Sequence, residues 1–147
     1  RPEVPATAAS QSKIDASTRT SALSSIKDGL VPTDADDRSV PYYHTWPKQG
    51  GTEWITYTFP KAMKVSACTI YWFDDGPWGG CRVPKTWRLS YRNEQGGWTP
   101  VKAISPYTCV KGEPNTVQFD AISTTALKLE IDQPDKFSIG LYEWEVK

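Results

Sequence analysis

The sequence has one histidine, one methionine and three cysteines among 147 residues, and each shortage excludes something. A single His (His44), no Gly-x-Ser-x-Gly elbow and no metal-spaced His/Cys group leave little for nucleophilic or metal chemistry. Three unevenly spaced cysteines are too few for a small disulfide scaffold. Cys68 falls within a strand pattern and reads as a small buried hydrophobe. Cys81 and Cys109 fall in loops and could pair if those loops meet, although free thiols are the expectation. Neither sign of charge is in excess: Lys plus Arg and Asp plus Glu number 17 each. No basic field therefore points to nucleic acid or to a membrane surface. No apolar run is long enough to cross a bilayer, no signal peptide is present, and no long stretch carries a helical period. The chain opens on Arg1 with proline-rich text, which suggests a piece excised from a longer protein.

What the sequence does hold is aromatic rings, with seven Trp and seven Tyr, and they concentrate in residues 70–91. The strand leading in alternates Cys68, Ile70 and Trp72 with Thr69 and Tyr71. The strand leading out alternates Trp87, Leu89 and Tyr91 with Thr86, Arg88 and Ser90. Both show the two-residue period of half-buried strands. Between them, Asp74-Asp75-Gly76-Pro77 and Gly79-Gly80 break the sheet, because Gly and Pro supply turn dihedrals and withhold ladder hydrogen bonds. Asp74, Asp75, Trp78 and Arg82 are thereby presented at one end of the molecule.

The rest of the chain divides into residues 1–12, a linker feeding an edge strand near 7–10, and residues 13–147, one domain able to bury a core. Residues 21–26 suit a short helical turn ended by Asp28-Gly29. Residues 30–51 form a polar loop broken by Pro32, Pro41 and Pro47, and long loops inside compact domains usually serve function or ion binding. Its run Tyr42-Tyr43-His44-Thr45-Trp46 is unusually aromatic for a loop. Residues 54–59 alternate, with Ile55, Tyr57 and Phe59 inward and Thr56 and Thr58 outward, until Pro60 stops the strand. Further strands are read at 65–72, 86–91, 98–103, 117–119, 126–132 and 140–147, with Asn93-Glu94-Gln95-Gly96-Gly97 as a hairpin loop. Leu127, Leu129 and Ile131 form an inward row. Short strands separated by turn signals argue for an all-β fold, an antiparallel β-sandwich or jelly roll.

Several pieces in order along the chain carry a family resemblance. They are Ala8-Ala9-Ser10, Ile26-Lys27-Asp28-Gly29, Trp46, Glu53-Trp54-Ile55-Thr56-Tyr57-Thr58-Phe59, and Trp87-Arg88-Leu89-Ser90-Tyr91 before Gly97-Trp98. Ala126-Leu127-Lys128-Leu129-Glu130-Ile131 and Gly140-Leu141-Tyr142-Glu143-Trp144-Glu145-Val146 complete the set. This order resembles the discoidin-like, coagulation factor V/VIII type C superfamily, the galactose-binding-like jelly roll. More narrowly, residues 46–54, 71–75 and Gly80-Cys81-Arg82-Val83-Pro84 are similar to accessory domains of bacterial glycoside hydrolases, including family 127 β-L-arabinofuranosidase-like enzymes. The resemblance implies a non-catalytic, carbohydrate-binding module of an exported enzyme, with a plant or host glycan and the parent's catalytic domain as partners. The alternative is a structural module that packs on that catalytic domain without a sugar site, since a glycine-rich loop with one exposed Trp also serves docking.

A sugar ring offers an apolar C–H face that packs on an aromatic plane, and hydroxyls that need donors and acceptors. The candidate ligand residues are accordingly Tyr43 and His44, with Tyr42 and Trp46 beside them; Asp74, Asp75, Trp78 and Arg82; and Phe137. In family-32-like modules a His, an Arg and an aromatic hold a galactose-type sugar, and His44 and Phe137 fall in suitable places. Trp72 and Phe73 stand where such modules carry an Arg at the strand end, so the resemblance does not carry galactose specificity over. Trp46, Trp54, Trp72 and Trp87 are expected in the core, and Trp78, in its turn, exposed. The resemblance also implies a structural Ca²⁺ at Lys27, Asp28 and Glu143, with backbone carbonyls near Val31 or Asp34. The plainer reading is that Asp28 caps its own turn and Glu143 meets a Lys or Arg. Adjacent carboxylates such as Asp74/Asp75 point apart in an extended chain, so they are no acid–base pair.

Overall fold

The computed structural model describes residues 6–147; the portion of the expected linker at residues 1–5 lies outside the described residues. The strands are β1 (Lys13–Ala16), β2 (Tyr43–His44), β3 (Thr52–Phe73), β4 (Thr86–Arg92), β5 (Trp98–Pro100), β6 (Asn115–Asp132) and β7 (Gly140–Val146), with a 3-10 turn at Leu23–Lys27. Two long strands, β3 and β6, run through both layers of an antiparallel sandwich. Their first pairing matches Thr52–Thr58 with Asp132–Ala126, and their second matches Met63–Ile70 with Thr124–Asn115. One layer reads β1-β3-β6-β4-β5 and the other β2-β7-β3-β6, each using one half of the long strands.

The corner between the halves is a register break from Thr58 to Met63, and Pro60 lies inside it. Proline cannot donate to a ladder, so it is tolerated where pairing lapses. The expectation that Pro60 ends a strand is therefore corrected: the chain turns the corner and remains extended to Phe73. Residues 117–119 and 126–132 likewise belong to one strand. The expected strand at 98–103 stops at Pro100, leaving Ala103 in an isolated bridge with Phe119.

The expected edge strand at residues 7–10 is a turn. The Thr7 N–H donates to Ser10 Oγ at 2.7 Å and the Ser10 N–H to Thr7 Oγ1 at 3.0 Å, side-chain acceptors that compete with any ladder. Ala9 in that turn is buried in the core.

Alternation fills the interior as expected. Ile55, Tyr57, Leu127, Leu129 and Ile131 are buried from one layer, and Cys68, Ile70, Trp72 and Trp144 from the other. Rings meet across the layers: Trp72 contacts Trp87 edge-on at 5.9 Å between centroids, and Tyr57 stacks on Trp144 at 4.0 Å. Aromatic pairs of this kind add stabilisation beyond the area they bury. All three cysteines are free.

Two tryptophans expected in the core are elsewhere. Trp46 is 49% exposed. Trp54 is half-buried on the outer face of β3, because the alternation that turns Ile55 inward turns Trp54 outward.

Candidate functional site

Strand register gathers the functional loops at one end. Phe73, the last residue of β3, pairs with Gly140 at the start of β7, and Gly140 pairs with His44 of β2. In the other layer Thr52 and Thr86 both pair with Asp132. The Asp132 carboxylate accepts from Thr52 Oγ1, Thr86 Oγ1 and Arg88 Nη1 at 2.6 to 2.8 Å. Those hydroxyl donors, Thr52 first, hold its pKa below the usual carboxylate range. The loops at 30–51, 74–85 and 133–139 therefore leave from neighbouring strand ends.

Buried polar groups then fix the loops to one another. Thr45 Oγ1 hydrogen-bonds Gln133 Oε1, and the Ile139 N–H donates to both oxygens. Gln133 Nε2 donates to the Gly50 carbonyl at 2.8 Å, while Ser138 Oγ donates to the Lys48 carbonyl. Thr45, Gln133 and Ser138 are all buried, so these bonds are made where water cannot replace them. The backbone of Ser138 pairs in turn with the central loop, donating to the Gly80 carbonyl and accepting from the Arg82 N–H.

The loops enclose an open cavity of about 520 Å³. Tyr42, Trp46, Trp78 and Phe137 supply its aromatic surface, and His44, Gln49, Asp75 and Lys136 its polar groups. Trp78 is 93% exposed at the rim. The Trp46 ring rests on bare backbone: a Cβ built on Gly80 would lie 2.2 Å from it. Tyr42 stacks on Phe73 at 4.1 Å between centroids, and Arg38 donates to the Tyr42 hydroxyl at 2.9 Å. Asp75 Oδ1 accepts the Cys81 N–H at 2.8 Å, while Oδ2 lies 3.6 Å from Arg38. His44 Nδ1 is buried with no hydrogen-bond partner among the described residues. Burial and the nearby Asp75 push the Cys81 thiol up to about 12, so it is no nucleophile at neutral pH.

Of the expected ligand residues, His44, Asp75, Trp78 and Phe137 line this cavity. Three do not, and each has a structural reason. Tyr43 is 1% exposed, its ring in the core and its hydroxyl donating to the Thr18 carbonyl at 2.6 Å. Asp74 is buried beneath the loop, accepting from the Gly76 and Val83 N–H groups at 3.0 Å and facing Lys111 at 3.2 Å. Arg82 turns into its own loop, donating to the Gly79 and Cys81 carbonyls, and its guanidinium packs on Phe137 at 4.2 Å. Arg82 thus supports Phe137 from behind. Lys136 and Gln49 carried no signal in the sequence; of the two turn glycines, Gly80 lies under the Trp46 ring and Gly79 under the Asp75 carboxylate.

The expected cation residues come together on another side. Glu143 is buried; its Oε2 accepts the Gly29 N–H at 3.0 Å, and its Oε1 has no partner among the described residues. Burial, with the Asp28 carboxyl beside it, pushes Glu143 up to about 9. Asp28 Oδ1 accepts the Leu30 N–H, capping its turn, and Lys27 Nζ reaches the Ser10 carbonyl at 3.4 Å. Glu143 meets no Lys or Arg among the described residues. An orphaned carboxylate oxygen beside a second carboxyl suits a hard cation. Among the described residues no three His, Cys, Asp or Glu side chains cluster as ligands, so backbone carbonyls would have to complete the shell.

The family model for the F5/8 type C domain matches residues 6–143. Among solved structures, the chain is similar to the family 32 carbohydrate-binding module of C. perfringens NanJ in complex with galactose, at 21% identity and a TM-score of 0.70 over 95% of each chain. It is similar to a structure of the Streptococcus pneumoniae beta-galactosidase BgaA, at 18% identity and a TM-score of 0.74 over 90% of this chain and 89% of that one. It is also similar to chitosan-binding module 1 of a Paenibacillus sp. IK-5 chitosanase/glucanase, at 16% identity and a TM-score of 0.66 over 93% and 95%. At these identities the likeness establishes the shared fold. Among the described residues no helix is long and apolar enough to cross a membrane.

Proposed function

The chain belongs to the F5/8 type C domain family, a family of non-catalytic domains, and on that premise we propose that it binds carbohydrate in the loop-end cavity. The observation that carries the reading is the convergence of Tyr42, Trp46, Trp78 and Phe137 around Asp75 and His44 in one concavity. Indole and phenyl faces take the apolar side of a pyranose or furanose ring, and Asp75, His44, Gln49 and Lys136 address its hydroxyls. Preorganisation supports it, because the polar bonds between loops hold the aromatic surface in place before any ligand arrives. The domain's contribution to a parent enzyme is avidity: a weak site tethered to a catalytic domain raises local substrate concentration without catalytic groups of its own. The parent is an exported bacterial glycoside hydrolase, a reading supported by the enzymes named among the similar structures.

Titration with galactose, N-acetylgalactosamine, arabinose and their oligosaccharides, followed by tryptophan fluorescence, tests the site. Trp78→Ala should weaken binding by about tenfold or more. Its melting temperature should hardly move, because the side chain is 93% exposed. Silence of the folded domain on a broad glycan array would replace this reading with the structural-module alternative.

A structural Ca²⁺ held at Lys27, Asp28 and Glu143, with backbone carbonyls near Val31 or Asp34, belongs to the same reading, supported by the orphaned Glu143 oxygen. Such an ion would supply the positive charge that lets Glu143 ionise where it is buried. Chelation should lower the melting temperature by several degrees and added Ca²⁺ restore it. Glu143→Gln should abolish both responses. Indifference of the native chain to chelator removes the ion from the account.

A further inference from the structure

The seven tryptophans divide three ways. Trp72, Trp87 and Trp144 are in the core, and Trp46 and Trp78 line the loop-end cavity. Trp54 and Trp98 line a second cleft, of about 470 Å³, on the outer face of the β1-β3-β6-β4-β5 layer. Strand register builds it. Lys13 pairs with Thr58, Thr56 pairs with both Asp15 and Lys128, and Arg92 pairs with Trp98.

Two features of this cleft point to a ligand. The first is ring placement. Lys128 Nζ lies 5.9 Å from the Trp54 ring centre and 5.8 Å from the Trp98 ring centre, so one ammonium is flanked by two indoles. The Arg92 guanidinium lies 3.9 Å from the centre of Trp98, steered by its bond to the Gly96 carbonyl. The second is unanswered charge. Asp15, the one carboxylate lining the cleft among the described residues, is held by Arg19 through two bonds of 2.7 and 3.0 Å. Lys13, Arg92 and Lys128 have no carboxylate within 4.0 Å among the described residues. A chain that is neutral overall thus gathers around two indoles three cations with no carboxylate partner among the described residues.

We propose that this sheet-face cleft is a second ligand site, which takes an anionic glycan. Its sugar rings lie against Trp54 and Trp98, and its carboxylate or sulfate groups pair with Lys13, Arg92 and Lys128. A glycan fits better than an acidic peptide. The cleft offers flat rings flanked by the Thr56 and Thr58 side chains, suited to a polyhydroxylated chain lying along the sheet. The site is independent of the loop-end reading, since the two cavities share no lining residue.

The test is affinity electrophoresis and calorimetry of the folded domain with polygalacturonate, its methyl ester, dextran sulfate and polyglutamate. The first or the third should bind and the neutral ester should not. Polygalacturonate alone identifies a carboxylate ligand, dextran sulfate alone a sulfated one. Lys128→Gln and Trp54→Ala should each weaken binding by about tenfold, with native melting curves checked for both. Lys102→Gln, at an exposed cation outside the cleft, should leave binding unchanged. The proposal is overturned if neither polyanion binds or if the ester binds equally well. Equal loss in Lys102→Gln would overturn it too, as would native affinity in both Trp54→Ala and Trp98→Ala. Polyglutamate binding as tightly as polygalacturonate would make the surface a peptide site instead.

Discussion

The two clefts hold two tryptophans each and are built in opposite ways. On the sheet face, Trp54, Lys128, Arg92 and Trp98 are presented by paired strands, so ladder register alone fixes their spacing. At the loop end, Trp46, Trp78 and Phe137 stand on irregular backbone, and side-chain bonds must do what the ladder does elsewhere. Asp74, Asp37, Gln133 and Ser138 are buried for that purpose. The difference teaches where each surface is fragile. A sheet-face substitution should change only what it removes, whereas one loop-end pin should take several ligand residues with it.

The strongest way to sharpen that contrast is Asp74→Ala. It strips partners from the Gly76 and Val83 N–H groups and from Lys111. Leaving buried donors unpaired should cost roughly 2–3 kcal/mol and lower the melting temperature by about 5–10 °C. Loop-end glycan binding should vanish with it, although Asp74 touches no ligand surface. Calorimetric melting and titration of one sample check both. Native stability in this variant would mean that the loop is held by its backbone alone, and the contrast between the regions would break.

A smaller effect is expected from Gly80→Ala. The new methyl would meet the Trp46 ring, at 2.2 Å if nothing moved, so the ring must leave the cavity wall. Binding should weaken by about tenfold while the melting temperature falls little, because Trp46 is already 49% exposed. Fluorescence titration resolves the change.

These two residues also mark what the sequence could and could not tell. The inward rows were legible because strand alternation is a local rule: Ile55, Tyr57, Leu127, Leu129 and Ile131 are buried as their spacing requires. The same rule placed Trp54 outward with Thr56 and Thr58, against the expectation that it lies in the core. At the loop end no period operates. Tyr42 and Tyr43 are neighbours with opposite fates, one lining the cavity and the other in the core. Two-residue β2 decides between them by pairing Tyr43 with Leu141, a contact 98 residues away along the numbering. Asp74 and Asp75 divide the same way, one buried under the turn and one facing the cavity. Glycines at 79 and 80 marked a turn without saying that Asp75 would close on the first and the Trp46 ring on the second.

Acid should produce the mildest separation of the two regions. Asp37 accepts from the Ser39 hydroxyl, the Thr33 and Ser39 N–H groups and the Thr33 hydroxyl, and these bonds hold its pKa well below the ordinary carboxylate value. A depressed carboxylate contributes stability that is present above its unfolded pKa, about 3.9, and is lost as pH falls through the folded one. Asp37 closes the turn that carries Arg38 to Tyr42 and Asp75, so its protonation loosens one wall of the loop-end cavity. The melting-temperature gap between the native chain and Asp37→Asn should therefore be constant near neutrality and close below about pH 4. Dextran sulfate keeps its charge in that range, and its binding on the sheet face should outlast glycan binding at the loop end as the solution is acidified. A gap that stays open in acid would show that the turn is held without the Asp37 carboxylate, and that the loop end draws its order from elsewhere.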